Sequence, residues 1–138
     1  MKEISFTTPL YEAEVSLLIG GDIWEVVELL KNRHSDPRVY SWDKEFTWGE
    51  DANTTNAYAF HVNARFGDGE RFYIWMVEPT INLSSHETYH LTGDIMFTRG
   101  SIYSYEAEEN FAYLHGWLYD TVFNSIYEKP VIKECPAE

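Results

Sequence analysis

Three features of the chain predict an α+β domain. A short apolar run, EVSLLI at 14–19, is stopped by two glycines and followed by apolar residues at helical intervals. Two β-rich runs flank GDGE at 67–70, a hairpin signal. Two later stretches, about 81–97 and 104–126, repeat apolar residues with the period of a helix. With 138 residues, near the commonest domain size, the expectation is a single domain over 1–138. A small twisted sheet should pack on the first long helix, with the last helix buttressing it. Both ends read as loose, with a flexible tail from about residue 129.

Taken in order, EVSLLI reads as a buried strand broken by Gly20 and Gly21. Asp22 and Glu25 have capping-box spacing, and Ile23, Val26, Val27 and Leu30 carry a helix to about Arg33. Residues 34 to 56 hold Pro37, Gly49 and DANTTN among scattered aromatics, Tyr40, Trp42, Phe46 and Trp48. They read as a loop-rich connection with apolar anchors. Strands are expected near 57–66 and 70–77, the second ended by Pro79. From about Ile81 to Phe97, the residues Leu83, His86, His90, Gly93 and Phe97 fit one helix face, closed by Arg99 and Gly100. Ser104 can cap the last helix, which runs through Ala107, Phe111, Leu114, Leu118, Val122 and Ile126 until Pro130 closes it.

Composition narrows the function classes. The hydrophobic share of 44% and aromatic share of 17% suit a packed core, and no repeat or low-complexity run interrupts the chain. A formal charge of −13, with ten scattered Lys and Arg, would repel a phosphate backbone, so nucleic acid is not expected as a partner. A basic peptide could be drawn to such a surface. The single cysteine, Cys135, lies in a polar tail and offers neither a disulfide nor a metal cluster. The N-terminus lacks an apolar signal region, and the longest apolar run, VSLLI, is far too short to span a bilayer. A soluble, cytoplasmic protein with no membrane partner is the expectation.

The chemistry centres on HETYH, residues 86–90. On a helix His86 and His90 stand one turn apart on one face, so their imidazoles can converge on one tetrahedral ion. Glu87, about 100° round the axis from His86, would face a water beside that ion. This spacing serves zinc hydrolysis because two neutral ligands hold the metal while the adjacent carboxylate takes the proton from the attacking water. The same residues also admit a plain helix reading, since Ser84 and Glu87 satisfy a capping box.

A hydrolytic zinc site needs a third protein ligand. The template H-E-x-x-H-x-x-G-x-x-H matches at Gly93 but meets Met96 where the last histidine should be, and a thioether is a poor zinc ligand. The remaining template takes a glutamate from a second helix. EENFAYLHGWL supplies Glu108 and Glu109, which point about 100° apart. Glu109 is preferred because it shares a face with Ala112 and Gly116, small residues that would let two helices approach. Glu108 is the fallback.

HETYH followed by eighteen residues and Glu109 resembles the glutamate-type zincins, or gluzincins. The run E-E-N-F-A is similar to the segment around the glutamate ligand of zinc aminopeptidases. YIWM, HETYH and E-E-N-F-A-Y-L-x-G-W-L together resemble small metallopeptidases of bacteriophages and prophages. The resemblance covers roughly residues 72 to 119 and implies a zincin-like fold, a Zn2+ cofactor, His86, His90 and Glu109 as ligands, and a peptide or protein substrate. The chain departs from large gluzincins in its length, and Tyr113 stands where thermolysin-like enzymes have an aspartate supporting a zinc-bound histidine.

Other residues have two readings each. Asp94 could accept a hydrogen bond from His90 or be a solvated helix residue. Asp120 has similar standing. An oxyanion donor is sought among Tyr89, Tyr105, Tyr113 and His61, with Tyr113 preferred because it lies one turn beyond Glu109. His61 otherwise reads as an ordinary strand residue, and His115 as surface or core. The expected activity is a metallopeptidase in which Glu87 is the general base. The alternative is a non-catalytic module stapled by zinc, with His61 or Asp94 closing the coordination. The edge strand of a zincin holds an extended peptide, and either strand of the 57–77 hairpin could do so here.

Overall fold

KEISFT alternates polar and apolar residues with period two, and EVSLLI is nearly all apolar; these two stretches pair first. The computed structural model describes residues 1–34, 38–41, 44–45, 56–62, 70–101 and 104–127. Strand β1 (Lys2–Thr7) runs antiparallel to β2 (Glu14–Ile19), so that Ile4 and Phe6 share a face with Leu17 and Val15. The N-terminal end, expected to be loose, is therefore a sheet strand, and its alternation was the available signal. The connecting turn places Tyr11 and Glu12 at positive φ, 67° and 43°. The Thr8 hydroxyl pins it by donating to the Leu10 carbonyl and accepting from the Ala13 amide.

Gly20 and Gly21, both at positive φ, turn the chain out of β2 into helix α1 (Ile23–Arg33). The capping box is present as the sequence predicts. Asp22 accepts from the Glu25 amide at 3.0 Å, and the Glu25 carboxylate accepts from the Asp22 amide at 3.1 Å. Two short strands follow, β3 (Val39–Ser41) and β4 (Lys44–Glu45), within the stretch read as a loop-rich connection. The side chains of its four aromatics lie outside the described residues.

The hairpin is antiparallel: β5 (Ala57–Val62) pairs with β6 (Arg71–Met76) from Ala57↔Met76 to Val62↔Arg71. Its turn, together with residues 63–66 of the expected first strand, lies outside the described residues. Strand β6 also pairs in parallel with β2, giving one mixed sheet in the order β1-β2-β6-β5-β3-β4. Being internal explains the unbroken FYIWM burial of β6, because both faces are covered. Phe72, Ile74 and Met76 face one layer and Tyr73 and Trp75 the other.

Helix α1 covers the face bearing Leu18, Phe60, Tyr73 and Trp75 through Ile23, Val26 and Leu30. Arg33 near its end donates to both Glu3 oxygens, at 2.6 and 2.9 Å, and holds that carboxyl below the usual range. The other face carries α2 (Ile81–Thr98) and α3 (Tyr105–Tyr127). Thr80 caps α2 by accepting from the Leu83 amide, and Ser104 caps α3 by accepting from the Ala107 amide, each at 3.0 Å. The fold is α+β: among the described residues, three helices lie on a mixed sheet. Among the described residues no helix is long and apolar enough to cross a membrane.

Leu114, Leu118 and Val122 form the buried stripe of α3, with Ala107 and Phe111 extending it. Ala112 and Gly116 are exposed instead. The expectation that these small residues mark the helix contact is thus overturned. Large apolar side chains drive the packing, and at spacings of three and four they select the opposite side of the helix. A Cβ built on Gly116 meets nothing within 4 Å. Gly116→Ala should therefore stabilise the fold by about 1 kcal/mol, raising the melting temperature by roughly 3–5 °C. Leu118→Ala should cost about 3 kcal/mol. A lower melting temperature for Gly116→Ala would return the contact to the small-residue face.

Candidate metal centre

Helix α2 sits over β5 and β6, and its register decides what reaches the sheet. Leu91 and Ile95 point into the core, and the hydroxyls of Thr88 and Thr92 are satisfied by carbonyls one turn back, at 2.7 Å each. At about 100° per residue, Tyr89, His86, His90, Asp94 and Glu87 follow one another around the remaining circumference. Tyr89 leads on the α3 side, where its ring meets Phe111 at 5.0 Å and His115 at 5.6 Å. Glu87 and Asp94 end on the β5 side, with the two histidines between.

The histidines converge. Their Nε2 atoms are 3.1 Å apart and their ring centroids 4.6 Å. Two imidazole nitrogens on one tetrahedral zinc at roughly 2.0–2.1 Å would stand roughly 3.3 Å apart, so the pair already approximates one edge of such a site. His86 is exposed and His90 half-buried. Burial, and then the neighbouring His86, lower the His90 pKa, which favours the neutral form that binds metal.

Glu87 is only 6% exposed although it carries a carboxylate. With Thr80 as N-cap, Ser84 and Glu87 lie inside the helix, which overturns the capping-box reading of that pair. Burial raises the Glu87 pKa, while His86 and a hydrogen bond with the Ala59 backbone act the other way. Ala59 belongs to β5, whose far side meets β3 only at His61 and Val62. The expectation that one strand of the hairpin is a sheet edge is overturned: β6 lies between β2 and β5, and β5 between β6 and β3.

Asp94 does not serve His90. It is 1% exposed and faces His61, whose Nδ1 lies 2.9 Å from both carboxylate oxygens. His61 is buried on the α2 side of β5, 5.5 Å from the Phe72 ring centroid. The pairing went unseen because its partners are thirty-three residues apart in the chain. Asp120 is exposed.

Glu109 is exposed on α3, roughly opposite the Leu114–Leu118–Val122 stripe by helical spacing. Glu108 is also exposed, on the same flank as His115. Among the described residues, no three His, Cys, Asp or Glu side chains gather closely enough to hold a metal ion. The structure thus brings His86 and His90 together, with Glu87 near enough to His86 for its charge to act on it, and does not bring Glu109 to them. Tyr113 is 56% exposed, on the outward side of α3. Tyr89, not preferred from the sequence, is the tyrosine in ring contact with His90, at 6.1 Å. The Nε2 of His115 is buried and has no hydrogen-bond partner among the described residues. Tyr105 is 80% exposed.

A buried carboxylate retained for chemistry should weaken the resting fold. In the presence of chelator, Glu87→Gln, which keeps the shape and removes the charge, should melt at least as high as wild type, by up to about 5 °C. A lower melting temperature would mean that the carboxylate has a structural role. No family model, no curated protein and no solved structure matches the chain at a significant level.

Proposed function

We propose that the protein is a zinc-dependent peptidase of the gluzincin type with a zincin-like arrangement of sheet, active-site helix and buttressing helix. The observation that carries this reading is the position of Glu87: a buried carboxylate on the helix that bears a converged histidine pair, hydrogen-bonded to the backbone of β5 at Ala59. His86 and His90 would hold the ion, with Glu109 as the third ligand implied by the resemblance and Glu108 as the fallback. Both glutamates are exposed, so either one would be recruited by a movement of its side chain or of α3 on metal binding.

A zinc ion supplies Lewis-acid chemistry, making a water more acidic and polarising a carbonyl. The chain's own groups do the rest. Glu87 accepts a proton from the attacking water at a carboxylate oxygen and delivers it to the leaving amine. Its raised affinity for protons, caused by burial, suits a group that must both take and return one. Tyr113 and Tyr89 remain candidates for donation to the developing oxyanion, and the contact of Tyr89 with His90 favours Tyr89.

The zinc-stapled module draws less support. It requires a closed set of ligands, and the two residues that could complete it, His61 and Asp94, are engaged with each other.

Turnover of a fluorescein-labelled casein by zinc-loaded protein tests the activity. Glu87→Gln should retain zinc while losing at least about a thousandfold in kcat, because the proton acceptor is gone. Wild-type turnover in a well-folded, zinc-bearing Glu87→Gln would remove Glu87 from the mechanism.

A further inference from the structure

Where α1 ends, at Arg33 and His34, the face of the sheet that it covers turns from apolar to polar. Leu18, Tyr73 and Trp75 pack under the helix, whereas Ser5 of β1, Ser16 of β2 and Arg71 of β6 continue the same face beyond them. Glu3, Ser5, Arg33, His34 and Arg71 line a depression of about 480 Å3 there, on the side of the sheet away from HETYH. Its volume lies within the range of small-molecule sites. Ser16, fully buried on an internal strand, accepts from Arg71 Nη1 at 3.0 Å and lies 3.3 Å from the Ser5 hydroxyl, so it holds the Arg71 side chain in place.

The two guanidinium groups differ in what they have left to donate. Arg33 is engaged by both Glu3 oxygens, at 2.6 and 2.9 Å, and reaches the Tyr73 hydroxyl at 3.5 Å. His34 Nε2 meets the same hydroxyl at 2.7 Å. Arg71 makes one hydrogen bond among the described residues, from Nη1 to Ser16. Its Nη2 stands 4.0 Å from Glu14, an exposed side chain that also accepts from the Thr7 hydroxyl, and an exposed pair at that distance contributes little. With Glu3 cancelling Arg33, the lining keeps one positive charge, which a single carboxylate balances. The planar fork of Arg71 also matches the two oxygens of a carboxylate.

We propose that this depression is a carboxylate-binding site, in which the remaining donors of Arg71 take the two ligand oxygens and the exposed Ser5 hydroxyl donates to one of them. Glu14 competes for the same guanidinium and gives way to the ligand. A small hydroxy acid and the C-terminus of a peptide present the same group. The site lies on the opposite face from the histidine pair and does not depend on the peptidase reading.

Titration of the full chain at constant ionic strength with glycerate, with N-acetyl-alanylalanine and with inorganic phosphate, followed by the amide NMR shifts of Ser5, Ser16 and Arg71, tests the site. At least one carboxylate should saturate these shifts with a Kd of about 1 mM or below. Saturation by glycerate alone would identify a free acid as the ligand class, and by the dipeptide alone a chain end. Arg71→Gln should weaken binding by at least about tenfold, and Arg71→Lys, which keeps the charge without the fork, by about fivefold. The lysine variant covers the case in which Arg71→Gln fails to fold. Glu14→Gln should tighten binding about two- to threefold, because the competing carboxylate is gone. The proposal is overturned if neither carboxylate saturates the shifts by about 20 mM, if phosphate binds more tightly than both, or if Arg71→Lys binds as wild type does.

Discussion

Removing a carboxylate from water is unfavourable unless charge or hydrogen bonds replace the lost solvation, and the arrangement of α2 depends on where this chain does so. Glu87 could turn to solvent if α2 were rotated by a quarter turn, but Leu91 and Ile95 fix the rotation by filling the core against Ile74 and Leu17. The hydrophobic face sets the helix, and the carboxylate follows to the backbone of β5 at Ala59. His86 and His90 are then placed by the same rotation on the flank beside it. A pattern that serves only packing would put an apolar or small residue where Glu87 stands.

The sheet makes that placement firm. Strand β6 lies between β2 and β5 and is covered on both faces, so neighbours on every side hold its position. Trp75 reinforces it by donating from Nε1 to the Gly20 carbonyl at 3.0 Å, across the turn that launches α1. Arg99 at the far end of α2 reaches Glu70 at 2.7 Å and lies over the Phe72 ring, tying the helix end to the start of β6. The site helix is thus attached to β6 by its core face and its C-terminal end, and to β5 by Asp94 and Glu87.

Local signals in the sequence were sufficient for much of this. The Asp22–Glu25 box, the double glycine, the Ser104 cap and the two antiparallel hairpin strands each have local signals, and each is found. Relations set by tertiary packing were less legible. Ser84–Glu87 had the spacing of a capping box, but Thr80 starts the helix one turn earlier. Ala112 and Gly116 suggested a close helix contact, but the larger apolar stripe took the interface and turned Glu109 outward. Asp94 was matched with its nearest histidine in sequence, whereas the fold offers it His61 from a strand.

The central claim is that His86 and His90 form half of a metal site, and the most direct measurement is zinc stoichiometry. Full-length protein purified without chelator, and again after zinc loading and desalting, should carry about one zinc per chain. His86→Ala, His90→Ala and Glu109→Ala should each lose it if the resemblance assigns the third ligand correctly. Loss in the histidine variants but not in Glu109→Ala, with loss in Glu108→Ala, would keep the centre and reassign that ligand. Wild-type protein that retains no zinc after loading would contradict the account and leave HETYH as an ordinary turn of helix.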